Sequence, residues 1–233
     1  MVNIGKTLIN EKLPDDDPLL AYTPPCEDGL SVYITRKQSS RLTLEEFKAC
    51  YNLIRLTSSA HYKASSVGWV PSEKRKEMKH EHMWYLLVRK NVPKPNLEAI
   101  NSESRADWFT SSEISPQPAP PAQPGPVVGF LSLMFTHDDY PNDKIVCYIY
   151  EVHLGPSLRG SGLGSHLITV AETLAKRCGI GKTMLTVFGA NTKARRLYER
   201  LGYVKDPSSP EDRVVRRRNI SAEYRILSKR LEA

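Results

Sequence analysis

The chain has 233 residues, of which 40% are hydrophobic and 25% charged, and 33 basic and 26 acidic side chains give it a net charge of +7. This composition is typical of a globular protein and excludes collagen-like, wholly disordered and disulfide-scaffold classes. The positive charge suits an anionic partner such as nucleic acid or a phosphorylated cofactor, although a mildly basic surface explains it equally well.

Cysteine spacing and the N-terminal sequence indicate the compartment. The four cysteines include no Cys-x-x-Cys pair, and they are Cys26, Cys50, Cys147 and Cys178. That spacing fits neither a zinc ribbon nor a secreted disulfide framework. The first residues lack the basic and apolar regions of a signal peptide, and no stretch reaches the roughly eighteen apolar residues of a membrane span. We therefore expect a soluble, intracellular protein with reduced thiols.

In the N-terminal half, residues 1–28 mix charges with four prolines and have no sustained period, so we predict an extended arm. Thr43 and Glu46 form a capping-box pattern, after which apolar residues recur at helical spacing. The patterns beyond the arm predict a strand over 30–36, a helix over 44–62, a second helix from Pro71, and strands over 84–88 and 127–135.

A proline-rich stretch separates the last two of these strands. Residues 93–126 hold 8 of the chain's 17 prolines, and prolines at this density neither pair in a central strand nor continue a helix. We therefore predict a long, disordered insertion, with a proline-rich ligand motif as the alternative. The predicted organisation is the arm over 1–28 and a single domain over 29–233 that contains this insertion.

The C-terminal half alternates strands with helices, which predicts a mixed α/β sheet. Strands are predicted over 144–154, 182–188 and 222–230, and helices over 164–178 and 191–202. Between the first strand and the first helix lies Arg159-Gly160-Ser161-Gly162-Leu163-Gly164. Glycines allow close approach of a ligand, and the free N–H groups at a helix start suit a pyrophosphate, whereas a plain tight turn is the competing interpretation. The pattern matches neither a P-loop nor a Rossmann fingerprint.

The spacing Arg-x-x-Gly-x-Gly, at Arg159, Gly162 and Gly164, resembles the acetyl-coenzyme A signature of the GNAT acetyltransferase superfamily. A second, independent match lies on the next strand and helix, where the family's positions are filled by Asn191, Ala194, Tyr198, Gly202 and Tyr203. The resemblance implies a mixed α/β fold with a central, twisted, mostly antiparallel sheet flanked by helices.

A closer resemblance covers most of residues 60–230. The segments GWVPSEKRKEM, CYIYEVHL, RGSGLGSHLI, KTMLTVF, PSSP and EYRILSKR are similar to those of the histone-specific N-terminal α-amine acetyltransferases, the N-terminal acetyltransferase D family. This implies acetyl transfer from acetyl-coenzyme A, without a metal, to the free N-terminal serine of histone tails that start Ser-Gly-Arg-Gly, in nucleus and cytoplasm. The chain departs from the family at Val67, where a tryptophan is expected, in a longer loop THDDYPNDK, in the insertion, and in lacking a basic N-terminal arm.

Glu151 is our candidate for the catalytic base, because a carboxylate inside an apolar strand is costly unless it is paired or used. A satisfied structural glutamate at the sheet rim is the alternative. In a regular strand, Tyr148 and Tyr150 point to the face opposite Glu151. The resemblance implies that a bulge in this strand brings them into one site.

The resemblance also assigns the other site residues. Tyr150 and Tyr198 act in catalysis, Tyr198 by protonating the departing thiolate, although Tyr198 could equally be a packing residue. The cofactor is held by Val152, His153, Leu154, Arg159, Gly160, Ser161, Gly162, Leu163, Gly164, Ser165 and Asn191. The peptide is bound by Tyr62, Trp69, Tyr148, Tyr150, Thr186, Ser208 and Tyr224, and its arginine by Asp138 or Asp139. Those two aspartates also read as a solvated turn before Pro141.

His80 and His82 lie two residues apart on a predicted helix and do not share a face, so we expect no metal site. We further expect a monomer whose partners are histone tails, with no membrane contact and no sequence-specific binding of nucleic acid. Two alternatives to N-terminal acetylation stay open. One is a lysine or small-amine acetyltransferase on the same fold, and the other is a non-catalytic, basic chromatin-binding module.

Overall fold

A computed structural model of the chain describes residues 5–22, 31–91, 124–138, 144–215 and 218–232. The predicted insertion lies outside the described residues except for 124–126, and so do Cys26 and Asp139. Cys50, Cys147 and Cys178 are free thiols. No helix within the described ranges is long and apolar enough to cross a bilayer.

Five helices and nine strands form this part of the chain. The helices are α1 (Gly5–Lys12), α2 (Leu44–Lys63), α3 (Pro71–Met78), α4 (Leu163–Arg177) and α5 (Thr192–Arg200). The strands are β1 (Val32–Gln38), β2 (Trp84–Lys90), β3 (Val127–Asp138), β4 (Lys144–Leu154), β5 (Lys182–Phe188), β6 (Val204–Lys205), β7 (Arg213–Val215), β8 (Arg218–Ile220) and β9 (Tyr224–Arg230). The helices and strands expected beyond residue 29 are therefore confirmed, and α1, β6, β7 and β8 are additional.

Seven strands make one sheet in the order β1-β2-β3-β4-β5-β9-β6. Every neighbouring pair is antiparallel except β4 and β5, which are parallel. The short strands β7 and β8 form a separate hairpin. This confirms the expected mixed α/β architecture with a mostly antiparallel sheet.

Hydrophobic side chains cover both faces of the sheet. On one face, Cys50 and Ile54 of α2 join a buried cluster with Tyr85 and Phe130 of the sheet. On the other face α4 lies in the larger cluster, and its apolar side gives that helix a buried stripe that includes Leu167 and Ala171. Helix α2 starts at the predicted capping box, where Glu46 N donates to Thr43 Oγ1 at 3.2 Å and Thr43 N donates to Glu46 Oε2 at 2.7 Å.

The N-terminal segment corrects one prediction. Residues 5–22 are not an extended arm, because they form α1 and a short 3₁₀ turn over Pro18–Leu20. Ile9 and Leu13 are completely buried in the same cluster as α4. Asp17 caps the turn, accepting a hydrogen bond from Leu19 N, and pairs with Arg177 of α4. The apolar residues of this segment are few and are interrupted by prolines, so they show no helical period in the sequence.

Candidate active site

The strands β4 and β5 separate in the middle of the sheet. Their parallel pairing covers only Cys147 to Ile149, opposite Thr183 to Leu185. Beyond this point β4 stays paired with β3 as far as Leu154, and β5 stays paired with β9 as far as Phe188. The two strands therefore diverge and leave the backbone of β4 unpaired on its β5 side over 150–154, beside the start of α4.

A bulge in β4 lies at the point of divergence. Ser132 of β3 pairs with Glu151, whereas Leu133 pairs with Ile149, so Tyr150 is an extra residue. A one-residue bulge reverses which face later side chains occupy. It places Tyr148 and Glu151 on the same face, and the Tyr148 and Tyr150 rings lie 5.1 Å apart. The bulge implied by the resemblance is thus present.

The divergence opens a cleft of about 660 Å³. Many of the residues expected in the site line it together, namely Tyr62, Tyr150, Glu151, Val152, His153, Leu154, Arg159, Thr186, Asn191, Tyr198 and Tyr224. Trp69 lies in an adjoining cleft that shares Tyr62, Val67 and Glu77 with the first, and its ring is 5.5 Å from that of Tyr62.

Glu151 is held at both carboxylate oxygens. Its Oε1 accepts from Lys74 Nζ of α3 at 2.9 Å and from the Tyr62 hydroxyl at 3.3 Å. Its Oε2 lies 2.6 Å from His153 Nε2. On the other side of the ring, His153 Nδ1 lies 2.5 Å from the Thr57 hydroxyl of α2. Two helices and the strand itself therefore fix one buried carboxylate.

This arrangement controls the ionisation of Glu151. Burial on its own would raise the pKa of the carboxyl, but the neighbouring His153 and Lys74 outweigh it and lower the pKa to about 2. For Lys74, burial would lower the pKa of the amine, but Glu151 and Glu77 raise it above its usual value. Both groups are therefore charged at neutral pH.

Lys74 and Thr57 were not among the site residues expected from the sequence, and His153 was expected only to hold the cofactor. Lys74 lies in a run of charged residues that looks like a solvated helix. Its position four residues before Met78 was the available signal, because that spacing places both on one face of α3, and both are buried. Thr57 carried no such signal.

Tyr198 and Asn191 border the opposite wall of the cleft. Burial, with a smaller contribution from Glu151, raises the pKa of Tyr198, so its hydroxyl stays protonated at neutral pH. Its ring also lies 6.0 Å from that of Tyr203, so it packs as well as lining the cleft. Asn191 caps α5, since its side-chain oxygen accepts a hydrogen bond from Ala194 N at 3.2 Å. This structural role adds to the cofactor role predicted for Asn191.

The glycine-rich turn leads directly into α4. Gly160 and Gly162 have φ of +82° and +88°, a region that residues with a Cβ rarely adopt. No atom lies within 4 Å of a Cβ added at Gly160, and the N-cap position of α4 is Gly162, which has no capping side chain, although Leu163 N makes a long contact of 3.4 Å with Ser161 Oγ. Tyr22 of the N-terminal segment donates to the carbonyl of Ser161 at 2.5 Å. The turn therefore leads into a helix start without an N-cap side chain, and the contact with Tyr22 supports the turn at Ser161.

The predicted peptide residues divide into two groups. Tyr62, Tyr150, Thr186 and Tyr224 line the cleft, and the Tyr148 hydroxyl lies 2.5 Å from that of Thr186. Farther along the sheet, the Ser208 hydroxyl donates to Asp206 at 2.6 Å. There Asp138 already pairs with a cation, because its Oδ2 lies 2.5 Å from Lys182 Nζ, which also pairs with Asp206 at 2.8 Å.

One contact spans the mouth of the cleft. The Glu223 carboxylate, just before β9, accepts from the backbone N–H and the hydroxyl of Ser66, both at 2.7 Å. Ser66 lies between α2 and α3, so the two loops that border the cleft are joined. Among the described residues no cluster of three or more His, Cys, Asp or Glu could hold a metal ion.

Residues 95–203 match the sequence model described as "Acetyltransferase (GNAT) family". Together with the order of the sheet, this match shows a mixed α/β GNAT fold. Solved structures agree on the fold: Arabidopsis thaliana NAA60 in complex with a bisubstrate analogue superposes with a TM-score of 0.54 at 9% identity, covering 85% of this chain and 99% of that one. The NatC complex bound to Gag peptide and CoA gives a TM-score of 0.51 at 16% identity, with coverage of 85% and 99%.

Curated relatives match over shorter lengths than these structures do. N-alpha-acetyltransferase 40 of Saccharomyces cerevisiae is 43% identical over 72 residues, which are 28% of this chain and 25% of that protein. The putative phosphinothricin acetyltransferase YwnH of Bacillus subtilis is 26% identical over 109 residues, 46% of this chain and 66% of that protein. The chain thus spans less than two thirds of the length of either relative.

Proposed function

We propose that the protein transfers the acetyl group of acetyl-coenzyme A to the N-terminal α-amine of a protein, and that its substrates are histone tails starting Ser-Gly-Arg-Gly. One observation carries the reaction type: β4 and β5 diverge at a bulge beside an uncapped helix start. The 43% identity to an N-alpha-acetyltransferase supports the α-amine as acceptor.

The residues present fit acetyl-coenzyme A, which when bound supplies an activated acetyl thioester. Residues 160–165 form a glycine-rich turn that is open at Gly160 and leads into a helix start without an N-cap side chain, which suits pyrophosphate oxygens. The strand edge at Val152 and Leu154 offers backbone groups to an extended, amide-containing chain. Tyr198, kept protonated by burial, can donate its proton to a leaving sulfur.

Glu151 acts on the amine side. A carboxylate with a pKa of about 2 stays ionised at neutral pH and attracts an α-ammonium group. It also holds a transferred proton only weakly, because the α-amine has a much higher pKa of about 7.7 to 8. We therefore assign Glu151 to orienting the α-amine and passing its proton to water, rather than to storing the proton.

The mouth of the cleft favours an N-terminus over a lysine side chain. The Ser66–Glu223 contact joins the two bordering loops, and the aromatic rings of Tyr62 and Tyr224 lie inside. A chain end can enter such an opening head-on, whereas an internal lysine must bring the flanking backbone on both sides past the joined loops.

We assign the arginine of the tail to two carboxylates near Tyr148, those of Asp138 and Asp206. They lie on either side of Lys182. Both carboxylates already face a cation, so a peptide guanidinium has to share them with Lys182. Histone tails as partners imply that the protein works in the nucleus and cytoplasm.

A small-amine acetyltransferase is the second candidate, because the Bacillus subtilis relative covers more of this chain than the yeast one. Four acceptors separate the candidates: Ser-Gly-Arg-Gly peptide, its N-acetylated counterpart containing lysine, Ser-Gly-Ala-Gly peptide, and phosphinothricin. Acetyl-coenzyme A consumption on the free N-terminus alone supports the proposal.

Comparable rates on the blocked lysine peptide would instead indicate a lysine acetyltransferase, and turnover of phosphinothricin alone a small-amine enzyme. A thermal shift with acetyl-coenzyme A tests the non-catalytic alternative, because a ligand that binds the native state raises the melting temperature. Absence of any shift would contradict every acetyltransferase assignment.

A further inference from the structure

Lys74 is a lysine of α3 whose side chain is only 7% exposed. Its Nζ donates to three oxygens: the Tyr62 hydroxyl at 2.7 Å, Glu77 Oε1 at 2.7 Å and Glu151 Oε1 at 2.9 Å. It also lies 4.7 Å from the centre of the Tyr62 ring. An ammonium group has three N–H donors, and here each of them has an acceptor.

A buried lysine is costly unless its charge is compensated. A packing role alone does not explain this one, since α3 could cover the same apolar surface with a methionine or leucine. What Lys74 adds is a fixed positive charge against one oxygen of Glu151, while His153 holds the other oxygen. Lys74 and His153 thus donate to different oxygens of the Glu151 carboxylate, and Glu77 Oε1 accepts a hydrogen bond from Lys74.

We propose that Lys74 is a positioning residue for acetyl transfer, keeping the Glu151 carboxylate ionised and fixed in direction inside the cleft. This inference rests on the proposed function, in which Glu151 orients the α-amine. Lys74 itself acts through Glu151.

Several titratable groups face Glu151 from the elements around it: Tyr62 of α2, Lys74 and Glu77 of α3, Tyr85 of β2, His153 of β4 and Tyr198 of α5. Burial raises the pKa of each of these tyrosines, so the tyrosines stay neutral. Glu77 is a carboxylic acid and brings no positive charge to Glu151. Removing Lys74 therefore leaves His153 and the neutral Tyr62 hydroxyl as the donors to Glu151 in this set. Burial then acts against the charged carboxylate, so the pKa of Glu151 must rise.

The kinetic test compares Lys74→Met, Lys74→Arg, Glu151→Gln and the double variant Lys74→Met/Glu151→Gln. Lys76→Met is the matched control, because Lys76 is an exposed lysine of the same helix. For Lys74→Met we expect a fall in kcat of about 10-fold or more at pH 7, with the peptide KM changed by less than about 3-fold. Lys74→Arg should recover most of the rate, and Lys76→Met should match wild type.

The double variant separates positioning from a merely structural role. If Lys74 acts through Glu151, the double variant should be no slower than Glu151→Gln alone. A further full 10-fold loss in the double variant, or a wild-type kcat in Lys74→Met, would overturn the proposal. Acetyl-coenzyme A affinity of Lys74→Met should equal that of wild type, since a misfolded cleft would lower it.

A substrate-free measurement keeps this inference distinct from the proposed function. Carboxyl ¹³C NMR, with Glu151→Gln assigning the resonance, follows the ionisation of Glu151 directly. In wild type and Lys76→Met the Glu151 carboxyl should stay ionised down to pH 4. In Lys74→Met the titration midpoint of this carboxyl should lie about one pH unit or more above that of wild type. If no acceptor is acetylated by wild type, the proposed function fails while this titration still decides whether Lys74 controls Glu151. Identical titrations in Lys74→Met and wild type would refute the inference.

Discussion

Glu151 lies in β4, where the other residues over 145–152 are apolar or aromatic, and the structure shows why a charge is tolerated there. Its two oxygens face Lys74 and His153, so the cost of burial is offset by two charge-assisted contacts. The same contacts decide what the residue can do chemically. A carboxylate held ionised attracts a cationic amine, and its weak basicity favours quick release of a proton.

Replacing Glu151 by Gln should lower kcat by roughly 100-fold while changing the peptide KM only a few-fold, because the amide keeps the shape but loses the charge. Since the pKa of Glu151 is about 2, the acid limb of the wild-type profile above pH 5 should follow the peptide's α-amine rather than this carboxyl. Steady-state kinetics from pH 5 to 9 would check both points. A glutamine variant with the wild-type rate at pH 7 would place the amine-orienting group elsewhere.

Lys182 and Asp138 allow a prediction with opposite signs. Asp138→Asn removes an acceptor for the peptide arginine, so the preference for Ser-Gly-Arg-Gly over Ser-Gly-Ala-Gly should shrink. Lys182→Met removes the competing cation from Asp138 and Asp206, so that preference should grow, by roughly 10-fold for a charged hydrogen bond. The ratio of kcat/KM for the two peptides is the measurement. A change of this ratio in the same direction for both variants would show that Asp138 and Asp206 do not bind the peptide arginine.

At the scale of elements, the start of α4 combines two requirements. The turn before it needs residues with positive φ, which Gly160 and Gly162 meet, and the first helical N–H groups must find partners. Most helices solve the second requirement with a capping side chain, as Thr43 does for α2. Helix α4 has Gly162 at the capping position, and Leu163 N makes only a long contact of 3.4 Å with Ser161 Oγ, which leaves this helix start suited to an anionic ligand.

Ser165→Glu tests that availability without straining the backbone. An acidic residue in the first turn favours the helix, so the variant should fold with unchanged or slightly higher stability. The same carboxylate should repel a pyrophosphate and weaken acetyl-coenzyme A binding by about 10-fold or more. Ser165→Gln is the control of similar size, and calorimetric titration gives both affinities. Equal affinity in the glutamate and glutamine variants would contradict phosphate binding at this helix start.

At the scale of the whole molecule, the N-terminal segment is part of the core. Leu13 is completely buried, and Tyr22 reaches the turn at Ser161. Leu13→Ala should therefore lower the free energy of unfolding by about 2 to 4 kcal/mol, the usual cost of such a truncation. Leu56→Ala removes the same atoms from a side chain that is 72% exposed and should have little effect. Urea unfolding measures both, and equal small losses would mean that the segment detaches readily.

The insertion begins and ends at neighbouring strands. Lys90 N donates to Pro126 O at 3.1 Å, and Gly125 N donates to the Tyr33 hydroxyl at 3.0 Å. A Cβ at Gly125 would lie only 1.9 Å from Lys90 O, so glycine is required there. These contacts bring the chain together again on the far side of the insertion, as in a hairpin.

Replacing residues 96–123 by a short turn should leave acetyl-coenzyme A affinity unchanged and alter the free energy of unfolding by only about 1 kcal/mol, because loop-closure entropy depends weakly on length. Thermal unfolding with and without acetyl-coenzyme A would measure both quantities. A large loss of either would show that these residues support the domain.

Local patterns in the sequence were enough for the elements and for part of the site. The capping box at Thr43 and Glu46, the apolar stripe of α4 and the glycine-rich turn each depend on residues a few positions apart, and each has the predicted structure. Short-range hydrogen bonds, side-chain periodicity and allowed φ values determine such features, so a single sequence is sufficient to predict them.

Only the tertiary structure decided how distant residues meet. Lys74 contacts a residue 77 positions away because α3 packs where the bulge in β4 directs Glu151, and that bulge reverses the face which simple alternation predicts. Lys182 pairs with Asp138 because β3 and β5 lie on either side of β4, a neighbourhood that no local pattern predicts. Residues 5–22 were expected to be extended, but the larger core buries their few apolar side chains. Each of these outcomes depends on packing between elements, which the local sequence does not encode.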